Sequence, residues 1–343
     1  VVCGVVLGGV GLLILRPVAI LLGAEGQLTE DSVTYGRIIL FAIPAYVLQY
    51  EFQCLFVTAG KPKLGLYVTV AAGLTNIVLD ALFVAVLPWG LEGAAAATAL
   101  SQCVGGVIPL IYFSRPNTSL LRLTKTHFDG RSLRKACANG SSELMSNLSM
   151  SLVSMLYNAQ LLRYAGENGV AAYGVLMYVN LIFQAAFLGY SVGTAPIVSY
   201  HYGAGNQKEL QSLIRKSFLV LGVFSVAMCI AAQLLASPLS LLFTGYDPDL
   251  LEMTLRGFSI YSYSFLFSGF AIFGSSFFTA LNDGLISALI SFLRTLVFQV
   301  AAVLLFPLLW DLDGIWLSIV AAEAMAVVVT LSFLIVKQKK YGY

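Results

Sequence analysis

Five charged residues stand inside otherwise apolar runs: Glu51, Asp80, Glu143, Arg294 and Glu323. A charge at the centre of a bilayer costs roughly 3 kcal/mol on insertion scales, so it is normally paired or functional. Asp80 follows Asn76 by one helical turn, on the same face. A carboxylate with an amide carbonyl offers hard oxygen ligands for Na⁺, or a carboxyl that takes a proton in low dielectric. Thr98, in the next apolar run, can add a hydroxyl. The competing reading is a structural Asp80 hydrogen-bonded to Asn76, pinning two helices. Glu143 heads a polar stripe of Glu143, Asn147, Ser151, Ser154 and Asn158, spaced at helical intervals, with Leu144, Leu148, Leu152, Val153 and Leu156 on the other faces. Such a stripe suits a water-filled cavity, where Glu143 would meet a cationic solute, or polar glue between helices. Arg294 and Glu323 lie in the last two runs and can form a structural ion pair, or Arg294 can hold an acid such as Glu143. Asn180 and Gln184 are one turn apart. With Tyr261 and Tyr263 they can line a cavity, where an aromatic face holds an organic cation, or simply pack. Gln49, Glu51 and Gln53 mark a further polar position.

These residues need membrane-spanning helices to position them. Apolar residues make up 59% of the 343-residue chain and charged residues 10%, against roughly 25% charged in soluble domains. A spanning helix needs ~20 mostly apolar residues. Ten runs qualify: 2–22, 36–58, 65–87, 93–113, 141–163, 170–195, 213–236, 256–280, 285–308 and 314–336. The sequence also repeats at an offset of 221 residues. Pro17 falls on Pro238, Gly36 on Gly257, Phe52 on Phe273, Thr58-Ala59 on Thr279-Ala280, and Trp89-Gly90-Leu91-Glu92-Gly93 on Trp310-Asp311-Leu312-Asp313-Gly314, without a gap from Pro17 to Gly93. The expected fold is therefore an all-α membrane protein built of two parallel-repeat six-helix bundles, ten of whose twelve helices are present. The first unit is expected to extend on the order of 80 residues before Val1, room for two more spans.

Basic residues lie in alternate loops. Lys61 and Lys63, then Arg115, Arg122, Lys125, Arg131, Arg134 and Lys135, then Lys208, Arg215 and Lys216, and finally Lys337, Lys339 and Lys340 account for 14 of the 19. The opposite loops carry Glu25, Glu30, Asp31, Glu92, Glu167, Asp247, Asp249, Glu252, Asp311 and Asp313. The basic side, including the C-terminus, is expected in the cytoplasm. Residues 1–113 form the N-terminal lobe (helices three to six), 114–139 a basic cytoplasmic linker, and 140–343 the C-terminal lobe (helices seven to twelve) with a short basic tail. The linker charge reads as topology, not nucleic-acid binding.

Asn76-Ile-Val-Leu-Asp80 followed by Trp89-Gly90-Leu91-Glu92-Gly93-Ala-Ala-Ala-Ala97-Thr98 resembles the fifth and sixth helices of MATE (multidrug and toxic compound extrusion) transporters. Gly193-Thr-Ala-Pro-Ile-Val-Ser-Tyr-His-Tyr-Gly-Ala-Gly-Asn206 resembles that family's loop after the eighth helix, and Gly314-Ile-Trp316 with Glu323 its twelfth. The resemblance covers essentially the whole chain. It implies a V-shaped pair of six-helix bundles that exports organic cations or toxic metabolites in exchange for Na⁺ or H⁺ by alternating access. It places the cation-coupling cluster at Asp80, Asn76 and Thr98, to be completed by an acid of the first helix. No cofactor is expected beyond the driving gradient. The expected setting is a monomer in the cell membrane of a bacterium.

Other classes fit less well. A lipid-linked oligosaccharide flippase shares the two-bundle build, but its diphosphate cargo calls for several Arg or Lys within the spans, and Arg294 stands alone at depth. A membrane-embedded enzyme needs a clustered catalytic set. The chain offers no Ser/His/Asp triad or HExxH site, and Gly203-Ala204-Gly205 lacks the Lys-Ser/Thr of a phosphate loop. Cysteines 3, 54, 103, 137 and 229 have no metal-ligand spacing. Asn117-Thr118-Ser119 is a glycosylation sequon on the expected cytoplasmic side. His127 and His201 are expected in solvated loops, and Gly4-x-x-x-Gly8 as a close helix contact.

Overall fold

The computed structural model describes residues 2–21, 26–124 and 129–343. Glu25, Lys125 and His127 therefore lie outside the described residues. The chain divides into two compact units between residues 127 and 128, within the basic segment 114–139. The first holds α1 (Val2–Leu21), α2 (Gln27–Thr58), α3 (Pro62–Asp80) and α4 (Gly90–Ser114). The second holds α5 (Gly130–Asn139), α6 (Ser141–Gly203), α7 (Gln207–Thr244), α8 (Pro248–Tyr261), α9 (Phe265–Ala280), α10 (Gly284–Phe292), α11 (Phe298–Leu305) and α12 (Pro307–Tyr341). Among the described residues, nine helical stretches are long and apolar enough to cross a membrane. One of them contains two of the ten expected spans, because α6 breaks at Gly166 (φ 64°, ψ −154°), a backbone region open essentially to glycine alone.

Side-chain chemistry starts and stops these helices. Asn206, Asp247 and Asp283 accept hydrogen bonds from the first free N–H groups of α7, α8 and α10. Gly4 and Gly8 let α1 lie directly on α2, as the Gly-x-x-x-Gly spacing predicts: a Cβ at either would stand 2.8 Å from Pro44 Cα or the Leu40 carbonyl oxygen.

Both units share local architecture. The α2–α3 turn has Gly60 at φ 71°, and the Lys61 N–H donates to the Phe56 carbonyl at 2.8 Å. The α9–α10 turn has Asn282 at φ 61°, with the Asp283 N–H on the Phe278 carbonyl at 2.9 Å. The following turns place Gly90 (φ 56°) against Asp311 (φ 46°). The second pair keeps the offset of 221 and the first is one residue longer, so the repeat does slip by one between Pro17 and Gly93. The helix between these turns contains a wider π segment in each unit, Ala81–Val86 and Leu293–Val297, at different heights.

Large apolar side chains cover the surface, and small hydroxyls join the apolar core. Phe41, Leu181, Leu242 and Val336 are exposed while Ser217, Ser225, Ser262, Ser268, Ser287 and Thr330 are buried. Hydrocarbon tolerates that pattern, because Leu or Val costs nothing against lipid and small residues let helices approach closely; Ser217, Ser262 and Ser287 also bond to neighbouring helices. A hydroxyl cluster of Ser275, Ser287, Ser291 and Thr279 joins α9 to α10 at 2.6–2.9 Å. Aromatic packing fills the second unit around Trp316, Phe258, Phe273 and Phe277, and a smaller cluster of Phe52, Phe56 and Phe113 fills the first.

Candidate functional site

In the first unit α3 and α4 bring two of the three expected coupling residues together. The Asn76 amide donates to Thr98 Oγ1 at 3.5 Å, and the Thr98 hydroxyl donates to the Ala94 carbonyl at 3.0 Å. Asn76 does not hold Asp80, so the structural pin between those two residues is not made. Asp80 is the last residue of α3, half-buried, at the point where the helix widens into its π segment. No hydrogen bond or ion pair to its carboxylate is present among the described residues. Helices widen in this way frequently at functional sites.

Other polar groups of this unit fall nearby in sequence. The Gln53 amide donates to Thr69 Oγ1 at 3.3 Å, bridging α2 to α3. Gln49 lies against Gly105 of α4, whereas Glu51 is exposed. Gln102 was not singled out by its sequence surroundings. It follows Thr98 by one turn, and its Oε1 is buried without a partner. The repeat carried the missing signal, because Gln102 occupies the position of Glu323.

In the second unit Arg294 and Glu323 form a buried, forked ion pair. Arg294 Nε donates to Glu323 Oε1 and Oε2 at 3.1 and 2.8 Å, and Nη2 to Oε1 at 2.9 Å. Their side chains are 16% and 5% exposed. Arg294 sits in the π segment, Glu323 on α12. On the same helix the Ser318 hydroxyl shares a 2.8 Å hydrogen bond with Tyr157, which stacks on Tyr173. Sequence reasoning missed that contact, since neither residue is charged and they are distant in the chain.

The Glu143 stripe is open. Glu143, Asn147 and Ser151 are exposed, and Ser154 and Asn158 are half-buried. Asn147 and Ser151 donate to the carbonyls one turn back, at 2.8 and 3.3 Å. The opposite face, with Ser149, Val153, Tyr157 and Leu161, is the buried one. Asn180 and Gln184 are half-buried, and Asn180 Oδ1 is buried without a partner.

Two expectations need correction. Tyr261 does not line an open surface. It is 5% exposed, on the buried face shared with Phe258 and Phe265, and it meets Phe265 edge-on at 5.9 Å. Tyr263 is the exposed member of the pair. His201 is not in a solvated loop: α6 continues to Gly203, and His201 is half-buried with Nδ1 lacking a partner.

Long apolar helices with polar groups set inside them, in two units of like local build, are the build of a membrane transporter. The MatE family model matches residues 1–82 and 144–305. The chain is 22% identical over 329 residues to the multidrug export protein MepA of Staphylococcus aureus (strain MSSA476), covering 94% of this chain and 72% of that protein. Its fold matches that of a MATE solved in complex with MaL6 at a TM-score of 0.93, with 22% identity over 99% of this chain and 77% of that one. It matches equally, at 0.93 and 22% identity over 100% and 77%, a MOP superfamily transporter from Pyrococcus furiosus described as having a binding pocket of reverse polarity. The chain belongs to the MATE family of multidrug efflux transporters.

Proposed function

We propose that the protein is an antiporter that exports organic cations or toxic metabolites by alternating access, driven by a Na⁺ or H⁺ gradient. The unpartnered Asp80 carboxylate carries this reading. An intramembrane carboxylate is costly until a cation or proton neutralises it. The Asn76 amide nitrogen donates to Thr98, which leaves its carbonyl oxygen as a hard ligand one helical turn from Asp80. The Glu143 stripe supplies an open acidic face for a monovalent organic cation, with Asn180 and Gln184 as further polar contacts. The bacterial relative MepA is a multidrug export protein. Pocket polarity differs among proteins of this fold, so the cargo has to be argued from the residues here. Arg294 is neutralised by Glu323, which leaves little to hold a diphosphate and favours cation export over lipid-linked oligosaccharide flipping. By the charge bias, the basic helix ends and the C-terminus face the cytoplasm of a cell membrane. The transporter acts as a monomer.

The test is drug efflux in vesicles bearing the full chain under an imposed Na⁺ or proton gradient. Asp80→Asn, nearly isosteric, is expected to abolish gradient-driven export while sparing passive drug binding. Concentration of drug by the variant as well as by the parent refutes Asp80 as the coupling acid.

A further inference from the structure

At the basic ends of α7 and α12, within the second unit, lies an open surface groove of about 370 Å³. That volume is in the range of small-molecule sites. Its polar wall is Gln211, Arg215 and Gln338, and its apolar wall includes Phe218, Leu331 and Ile335. The two walls are ordered along the helices. Gln211 and Arg215 stand in the opening turns of α7 and Gln338 in the closing turn of α12, while Phe218, Leu331 and Ile335 lie one to two turns further into the apolar stretches, roughly 5–10 Å deeper at the helical rise. The floor is fixed. The Tyr343 hydroxyl donates to the Leu334 carbonyl at 3.1 Å, and Gln211 reaches the Gly342 carbonyl at 3.5 Å.

The charge balance at this end is one-sided. Lys208, Arg215, Lys216, Lys337, Lys339 and Lys340 face the acids Glu209 and Asp283. Asp283 is engaged by Lys340 at 3.5 Å and by the Tyr341 hydroxyl. Arg215 makes no ion pair among the described residues. An amphipathic slot, cationic at the membrane surface and apolar below, excludes an organic cation. Its chemistry matches a phosphate-bearing headgroup with an acyl chain.

We propose that this groove binds an anionic glycerophospholipid. The Arg215 guanidinium pairs with the phosphate, the Gln211 and Gln338 carboxamides donate to its other oxygens, and one acyl chain lies along Phe218, Leu331 and Ile335. The site is separate from the proposed export chemistry and does not depend on it.

The test uses the purified full chain in detergent, with phosphatidylglycerol and phosphatidylcholine of identical chains, read by native mass spectrometry. Phosphatidylglycerol is expected to be retained over phosphatidylcholine. Arg215→Gln is expected to lower that preference about fivefold, the factor one surface cation contributes to anionic-lipid binding. Lys216→Gln removes the same charge from a residue outside the groove and is expected to leave the preference intact. Leu331→Trp, filling the apolar wall, is expected to displace both lipids. An unchanged preference in Arg215→Gln, or an equal loss in Lys216→Gln, overturns the site in favour of diffuse surface charge. Competition by inorganic phosphate as effective as the lipid overturns the acyl-chain half of the assignment.

Discussion

Removing the Glu323 charge is expected to cost the second unit far more stability than removing a surface charge. The pair with Arg294 is forked through three N–H···O contacts of 2.8–3.1 Å, and its side chains are 16% and 5% exposed. Glu323→Gln strands the guanidinium in an apolar setting, and breaking one side of a buried pair costs about 3–5 kcal/mol. Replacing both partners, as Arg294→Met/Glu323→Leu, removes the desolvation penalty together with the attraction, and is expected to recover most of that loss. Arg16 and Glu30 provide the internal comparison. They are as close, at 2.7 Å, but 60% and 56% exposed, so Arg16→Gln strands no buried charge and is expected to cost less than Glu323→Gln. The assay is thermal unfolding of the parent, the single and the double variant in detergent. For a unit of this size the single substitution is expected to lower the midpoint by on the order of 10 °C. A Glu323→Gln midpoint equal to the parent's, or a double variant no better than the single, refutes the buried-pair account.

Three further outcomes follow from the geometry. Thr98→Val removes the acceptor of the Asn76 amide, and is expected to raise the driving-cation concentration needed for half-maximal efflux without unfolding the protein, as checked by circular dichroism. Gly8→Val drives a Cβ against the Leu40 carbonyl, and is expected to cost about 1–3 kcal/mol through overpacking, measured by the unfolding midpoint. Burial pushes the Asp283 carboxyl up, but hydrogen bonds from Tyr341 and the Ile286 N–H and the Lys340 charge outweigh it and hold it below the usual range. Its contribution is thus present above the unfolded carboxyl pKa of about 3.9 and lost as pH falls through the lower folded value. Protection of the amides of residues 338–343 against hydrogen exchange, taken relative to their intrinsic rates at each pH, is expected to be high at neutral pH and to fall in that acid window, and Asp283→Asn is expected to remove the dependence.

Much of this was legible in the sequence because hydrocarbon imposes so few solutions. Apolar runs of spanning length had to be helices, and each expected span has one. Charges inside them had to be paired or functional, which singled out Arg294, Glu323 and Asp80. What escaped were features set by helix rotation and by contacts distant in sequence. Tyr261 and Tyr263 are two residues apart and lie on opposite sides, one in the core and one exposed, and composition alone does not choose between them. Asn76 had two partners within reach on paper, Asp80 one turn away and Thr98 on the next helix. The structure gives the bond to Thr98. The Tyr157–Ser318 bond and the stranded Gln102 carbonyl carry no charge to announce them. His201 was misread because a glycine-rich stretch looks like a loop, yet α6 runs through it to Gly203.

Duplication gives the two units a common frame, and their differences divide the chemistry. In each, the helix carrying the π segment packs against the one that follows, and that seam holds the polar residues. In the second unit the seam carries Arg294 and Glu323, opposite charges that satisfy each other. In the first, Gln102 stands where Glu323 does, and an alanine or glycine faces the position of Arg294. The first unit's carboxylate has moved to Asp80, where alanines occupy the corresponding place in the second. A neutral pair resists any change in occupancy, since separating it strands two charges. A lone carboxylate does the reverse, because its cost falls whenever a cation arrives and returns when the cation leaves. On the proposed mechanism, cation-dependent switching falls in the α3–α4 seam. In the corresponding seam of the second unit Arg294 and Glu323 neutralise each other, so on the same proposal that seam has a structural part.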